Sequence, residues 1–282
     1  MTLLTDTFTL NNGIKIPQVG FGTWEIPDGE EAYNSTKWAL EAGYRHIDTA
    51  LVYENEKSVG KAIKDSGIPR SEVFITTKQP AENKSYDQAL KDFDQSLKNL
   101  GIDYVDLYLI HAPWPWDLAG KRYNQENLDV WKAFTEIYQS GRAKAVGVSN
   151  FDVIDLQNIL DNSKLKPAVN QIQYYIGFTE PKISKFCKDN DILVEAYSPL
   201  ATGKMLNNPQ VKEIAAKYGV TTAQLALRFV LENGVLPLPR STKKDHIVDN
   251  TNLNFQIDAE DLSTLNSLKD TASNMYHNET QG

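Results

Sequence analysis

A single cysteine, Cys187, and only four histidines in 282 residues leave no disulfide framework and no compact cluster of metal ligands. No segment approaches the roughly 20 consecutive apolar residues that would span a bilayer, and residues 1–10 lack a basic stretch followed by an apolar one. A cytoplasmic protein without a membrane partner is therefore expected. Gly/Ser linkers, low-complexity tracts and blocks of like charge are missing too, so nothing marks a boundary and one domain over 1–282 is expected. A net charge of −8 speaks against a nucleic-acid surface. Several signature loops are also absent. Gly20-Phe21-Gly22 is followed by Glu25 where a dinucleotide fingerprint needs its third glycine, and there is no Walker A loop, His-Glu-x-x-His or Gly-x-Ser-x-Gly. Phosphoryl transfer, zinc proteolysis and α/β-hydrolase chemistry lose their usual support.

What is present is an alternation. Eight short runs rich in aliphatic and β-branched residues, at 19–22, 46–50, 73–78, 105–111, 145–150, 169–173, 193–197 and 235–239, read as strands buried on both faces. Between them, 30–42, 86–100, 127–139, 153–160, 181–188, 211–218 and 222–231 carry helical spacing, and 258–268 follows the last strand. In 86–100, Leu90, Phe93, Leu97 and Leu100 fall on one helical face. Eight β/α repeats predict a (β/α)8 TIM barrel. Ahead of them, 8–16 reads as a β-hairpin closing the N-terminal end, with Asn11-Asn12-Gly13 as a tight turn whose Asn-Gly pair supplies positive φ angles.

Asp48, Tyr53, Lys78 and His111 lie at or just past the ends of such runs, so a closed barrel gathers them on one rim. Singly, each has a plainer role: a helix cap, a loop aromatic, a solvated strand end, a core histidine. Together they form a proton-transfer group. A lysine buried at the rim needs a carboxylate partner, which Asp48 provides, and the cation is expected to lower the Tyr53 pKa from about 10 toward neutrality. A Schiff base on Lys78, as in an aldolase, is a second reading of the same residues.

The run Gly43-Tyr44-Arg45-His46-Ile47-Asp48-Thr49-Ala50, followed by Glu56 and Val59-Gly60, resembles the first signature of the aldo-keto reductase superfamily. Gly147-Val148-Ser149-Asn150-Phe151 resembles the second, and Pro239-Arg240-Ser241 the third. The resemblance implies NAD(P)H-dependent reduction of small-molecule carbonyls to alcohols, with Tyr53 as general acid, Lys78 and Asp48 tuning it, and His111 orienting the carbonyl oxygen. It implies a nicotinamide site at Ser149, Asn150 and Gln171 with the ring on Tyr197, cofactor contacts from Gly22, Thr23 and Asp48, and a pyrophosphate loop at Ser198, Pro199 and Leu200. Arg240, Ser241 and Thr242 would hold an adenosine 2′-phosphate, and Asn250 the adenine. A nucleotide-binding regulatory barrel with little turnover is the alternative within that superfamily.

Two departures modify these expectations. His246 stands where many members have an arginine. NADP(H) is expected to be preferred through Arg240, with NAD(H) usable and the preference growing at lower pH as His246 gains charge. After His111 the family commonly has tryptophan, whereas this chain has Ala112-Pro113-Trp114-Pro115-Trp116. A pocket widened at Ala112 is expected, walled by Trp114, Trp116 and Trp24 and shaped by the loop 112–127 and the tail 269–282. Without a leftover apolar stripe, a monomer or weak dimer is expected.

Overall fold

Side-chain alternation along buried strands decides which groups point into a barrel and which meet the surrounding helices. In the computed structural model, which describes residues 3–272, eight parallel strands form one sheet in chain order. After the hairpin strands β1 (Thr7–Thr9) and β2 (Lys15–Pro17) come β3 (Phe21–Gly22), β4 (His46–Asp48), β5 (Phe74–Gln79), β6 (Val105–Ile110), β7 (Ala143–Ser149), β8 (Val169–Gln173), β9 (Leu193–Tyr197) and β10 (Leu236–Leu238). The Gly20 amide bonds the Pro237 carbonyl at 3.1 Å and the Gly22 amide the Pro239 carbonyl at 3.0 Å, joining β3 to β10 across the seam.

Ten α-helices are described: α1 (Glu30–Glu41), α2 (Glu56–Asp65), α3 (Tyr86–Leu100), α4 (Asn124–Gln139), α5 (Val153–Asn162), α6 (Pro181–Asp189), α7 (Pro209–Lys217), α8 (Thr222–Glu232), α9 (Lys244–Asp249) and α10 (Ala259–Ser267). On β6, Leu107 and Leu109 face the barrel interior, while Tyr108 and Ile110 face the helices. Tyr108 sits 4.7 Å from Phe93 of α3 and 4.6 Å from Phe134 of α4, ring centre to ring centre. The same period aims Lys78 inward with Phe74 and Thr76, and Asp48 inward with His46, whose Nε2 is 2.9 Å from Thr76 Oγ1.

The hairpin closes the bottom of the barrel. Leu10 and Ile16 pack on Phe74, Leu107, Val169, Leu236 and Leu238, and Asn11 and Asn12 donate to the Pro167 and Lys144 carbonyls. Its turn differs from expectation. The Leu10 amide bonds the Ile14 carbonyl across a three-residue connection, and only Gly13 takes a positive φ, +86°. This is a longer loop with one left-handed residue rather than a two-residue turn with two.

Helix α2, which contains Gly60, lies outside the expected helical stretches. That glycine is required by packing, since a Cβ there would overlap the Leu100 carbonyl at the end of α3. Helix α9 was not expected either, being only six residues long. Residues 124–127, assigned to the substrate loop, form the first turn of α4. Most of the expected tail lies outside the described residues.

Candidate active site

Asp48 ends β4, Lys78 lies near the end of β5, and His111 follows β6 directly. Tyr53 is placed by the short 3-10 turn Leu51–Tyr53 rather than by a strand end. The four side chains meet. Lys78 Nζ donates to Asp48 Oδ1 at 2.6 Å, to the Thr49 carbonyl at 2.9 Å and to the Tyr53 hydroxyl at 3.3 Å. Tyr53 Oη is 3.4 Å from His111 Nε2.

Burial works against charge on Lys78, but the Asp48 carboxylate and the Tyr53 oxygen outweigh it, so the amine is held protonated above its ordinary range. A Schiff-base lysine must present a neutral amine, and this one is fully buried and paired. The expected acidification of Tyr53 is not what its surroundings produce. Burial raises its pKa, and the opposing pull of Lys78 only partly compensates. His111 is driven well below its ordinary value by burial, with Lys78 and Lys84 adding to the effect. It is therefore a neutral imidazole.

A second inward layer lies beside the first. Gln171 Nε2 donates to Asp48 Oδ2 and to Glu195 Oε2, both at 2.9 Å. Glu195, unnoticed in the sequence, is fully buried, and its pKa is pushed up to about 8 by burial, with the Asp48 charge adding, against Gln171 and Lys78. A carboxyl whose folded pKa lies above its unfolded one binds its proton more tightly when folded, so stability is lost as pH rises from about 4.3 toward 8. The slope is at most about 1.4 kcal/mol per pH unit. Glu195→Gln, a neutral isostere, should therefore show a flatter melting-temperature profile from about pH 5 to about pH 9, and parallel profiles would refute the buried proton.

A cavity of about 1070 Å³ opens above these layers. Tyr53, His111 and Asp48 border one end together with Trp24, Val52 and Trp116. Ser149, Asn150, Gln171 and Tyr197 border it beside them, where Asn150 Nδ2 donates to the His111 carbonyl and the Tyr197 hydroxyl donates to Asn150 Oδ1. Asn150 and Ser198 hold left-handed backbone conformations, φ +60° and +50°, which non-glycine residues adopt mostly at functional sites and turns. Gly22, Ser198, Pro199, Leu200, Arg240, Ser241, His246 and Asn250 line the remainder. Thr202, Gly203, Lys204 and Thr221 also reach the cavity and were not anticipated, since no motif marks them.

Five expected site residues do not reach it, among them Lys78, which is fully buried and contacts the Tyr53 hydroxyl. Thr23 is buried with its hydroxyl on the Asp48 carbonyl, and Thr242 stands beside the wall without forming part of it. Ala112 and Trp114 pack together with Ala81 behind His111, and the Ala112 carbonyl accepts from Lys84 Nζ at 2.6 Å. The pocket is thus not widened at Ala112. Trp116, whose ring centre is 5.4 Å from that of His111 and 5.3 Å from that of Trp114, forms the wall instead. Arg122 fastens this loop to the start of α5 through Asp152 at 2.6 Å and Asp155 at 3.1 Å. Ala112→Trp should overpack the cluster, costing about 1–3 kcal/mol, so it should lower the melting temperature and affect small and large substrates alike; selective loss of bulky substrates would show that position 112 faces the pocket.

Comparison with known proteins gives a consistent picture. The sequence model of the Aldo/keto reductase family matches residues 18–270. Glyoxal reductase of Bacillus subtilis (strain 168) is 40% identical over 268 residues, 95% of this chain and 94% of its own. The crystal structure of an aldo/keto reductase from Brucella melitensis superposes with a TM-score of 0.87 at 41% identity, covering 93% of this chain and 98% of that one. A Bombyx mori aldo-keto reductase in complex with NADP superposes at 0.86 with 34% identity, covering 94% and 93%.

Proposed function

The chain belongs to the aldo/keto reductase family, and from that premise we propose that the barrel mouth is the active site of an oxidoreductase that reduces aldehyde and ketone carbonyls with NADPH, Tyr53 serving as general acid. The observation that carries this reading is the unbroken contact chain from Asp48 through Lys78 and Tyr53 to His111 at one end of the cavity. The cavity itself fits a dinucleotide. Its volume is at the upper limit of ordinary ligand pockets, roughly 300–1,000 Å³, and its lining adds polar groups beyond the proton-handling residues: Ser198, Arg240, Ser241 and His246. Ser149, Asn150 and Gln171 would hold the nicotinamide carboxamide, Tyr197 the ring face, the residues 198–200 the pyrophosphate, Arg240 the 2′-phosphate and Asn250 the adenine.

A bound reduced nicotinamide supplies hydride to the carbonyl carbon. As negative charge grows on the carbonyl oxygen, Tyr53 gives it the hydroxyl proton, and the Lys78 ammonium 3.3 Å away stabilises the phenolate left behind. A phenol pKa raised by burial suits this order, because the proton must stay on Tyr53 until an alkoxide forms to take it. His111 assists as a neutral donor. Its Nδ1 has no hydrogen-bond partner among the described residues, so the tautomer with the proton on Nε2 leaves the cheaper group, a lone pair, unpaired and aims a donor at the oxygen beside Tyr53. Trp24, Val52 and Trp116 give the carbonyl's substituents an apolar mouth.

The decisive experiment follows NADPH absorbance over a panel of aldehydes and ketones. Consumption of NADPH matched by alcohol formation is expected. Tight nucleotide binding with no turnover across the panel would replace this reading with that of a regulatory barrel.

A further inference from the structure

In the cavity wall, Arg240 is already engaged. Its Nη2 lies 2.7 Å from Glu25 Oε2 and its Nε donates to the Trp24 carbonyl at 2.8 Å. The backbone delivers both partners. Glu25 holds φ +55°, a conformation unfavourable for a residue with a Cβ. The turn carrying it is clamped by buried Asn55, whose Nδ2 donates to the Thr23 and Ile26 carbonyls, both at 2.9 Å. Across the barrel seam, the bond from the Gly22 amide to the Pro239 carbonyl fixes the residue before Arg240. Carboxylate and guanidinium therefore face each other because two strand ends are tied together.

A guanidinium grips phosphate best through two parallel N–H groups on one edge. Here the edge formed by Nε and Nη2 is committed to the Trp24 carbonyl and Glu25. A phosphate at Arg240 must displace the carboxylate or share the cation with it at close range, against like-charge repulsion. A neutral ribose 2′-hydroxyl meets no such opposition, and a carboxylate can accept its hydrogen bond.

Resting on the nicotinamide-nucleotide reading above, we propose that Glu25 sets the cofactor preference of this site: it competes with the adenosine 2′-phosphate for Arg240, restrains NADP(H) binding selectively and keeps NAD(H) usable. Calorimetric titration of the whole protein with NADPH, NADH and 2′,5′-ADP tests this. Glu25→Gln should tighten NADPH and 2′,5′-ADP roughly three- to tenfold while NADH stays within about twofold, the scale of one partly exposed ion pair plus relief of repulsion. The gain should vanish in an Arg240→Met background. Glu25→Asn, a residue that tolerates the left-handed backbone, should repeat the result and guards against a folding defect in the first variant.

Unchanged or weaker NADPH binding in both variants, or equal tightening of NADPH and NADH, overturns the competition. A wild-type protein that binds neither nucleotide overturns the active-site reading and this inference with it. Wild-type NADPH binding without a selective Glu25 effect removes only the inference.

Discussion

Carbonyl reduction by the Tyr53→Phe enzyme should be slower by about 10²–10⁴ in kcat/KM, with NADPH affinity within about twofold of wild type. The ring that lines the cavity is kept and only the hydroxyl between Lys78 and His111 is lost. Ground-state binding is then little disturbed, whereas the developing alkoxide loses its proton source. The pH dependence follows with a definite sign. The acid works while protonated, and burial lifts its pKa above the ordinary phenol value, so any loss of reduction through Tyr53 belongs on the alkaline side. Single-turnover rates alongside nucleotide titrations check the split. A variant within a few-fold of wild type would assign the proton to another group.

Lys78→Met should fail in two separable ways. Turnover should fall by about 10²–10³, because Tyr53 loses the cation that stabilises its phenolate. Stability should fall by about 3–5 kcal/mol, because Asp48 is left as a buried charge without its partner; both groups of the 2.6 Å pair are almost wholly removed from solvent. The double variant Lys78→Met, Asp48→Asn should regain most of the stability and none of the activity. Chemical denaturation and steady-state kinetics on the three proteins measure both. A single variant as stable as wild type would mean that water reaches Asp48 and the pair is not truly buried.

Much of the barrel was legible because strand burial on both faces leaves a continuous apolar signal. The runs 169–173 and 193–197 coincide with β8 and β9, and the helix over 86–100 coincides with α3. Asp48, Lys78 and His111 were legible for a related reason: polar groups ending apolar runs stand out, and barrel topology brings strand ends together. Glu195 escaped notice although the signal existed, a carboxylate in the middle of Leu193-Val194-Glu195-Ala196. The partnership of Glu25 with Arg240 had no local signal, since 215 positions separate them and only barrel closure makes them neighbours. The direction of Ala112 and the balance of burial against charge at Tyr53 depend on packing and solvent exclusion, which spacing along a chain does not encode. Helix α2 was not read from the sequence, and its Gly60, unfavourable to an isolated helix, is required by the Leu100 carbonyl it touches.

The order of strands around the ring divides the labour of the protein by time of synthesis. Asp48, Tyr53, Lys78 and His111 all come from the stretch ending at the residue after β6, so the first 111 residues already carry all four of these proton-handling groups. The seam between Gly22 and Pro239 can close only when the last strand emerges. Without that strand the cavity lacks the wall that Arg240, Ser241 and His246 supply. A chain ending before β10 would therefore carry all four proton-handling residues and lack Arg240, Ser241 and His246 of the cavity wall.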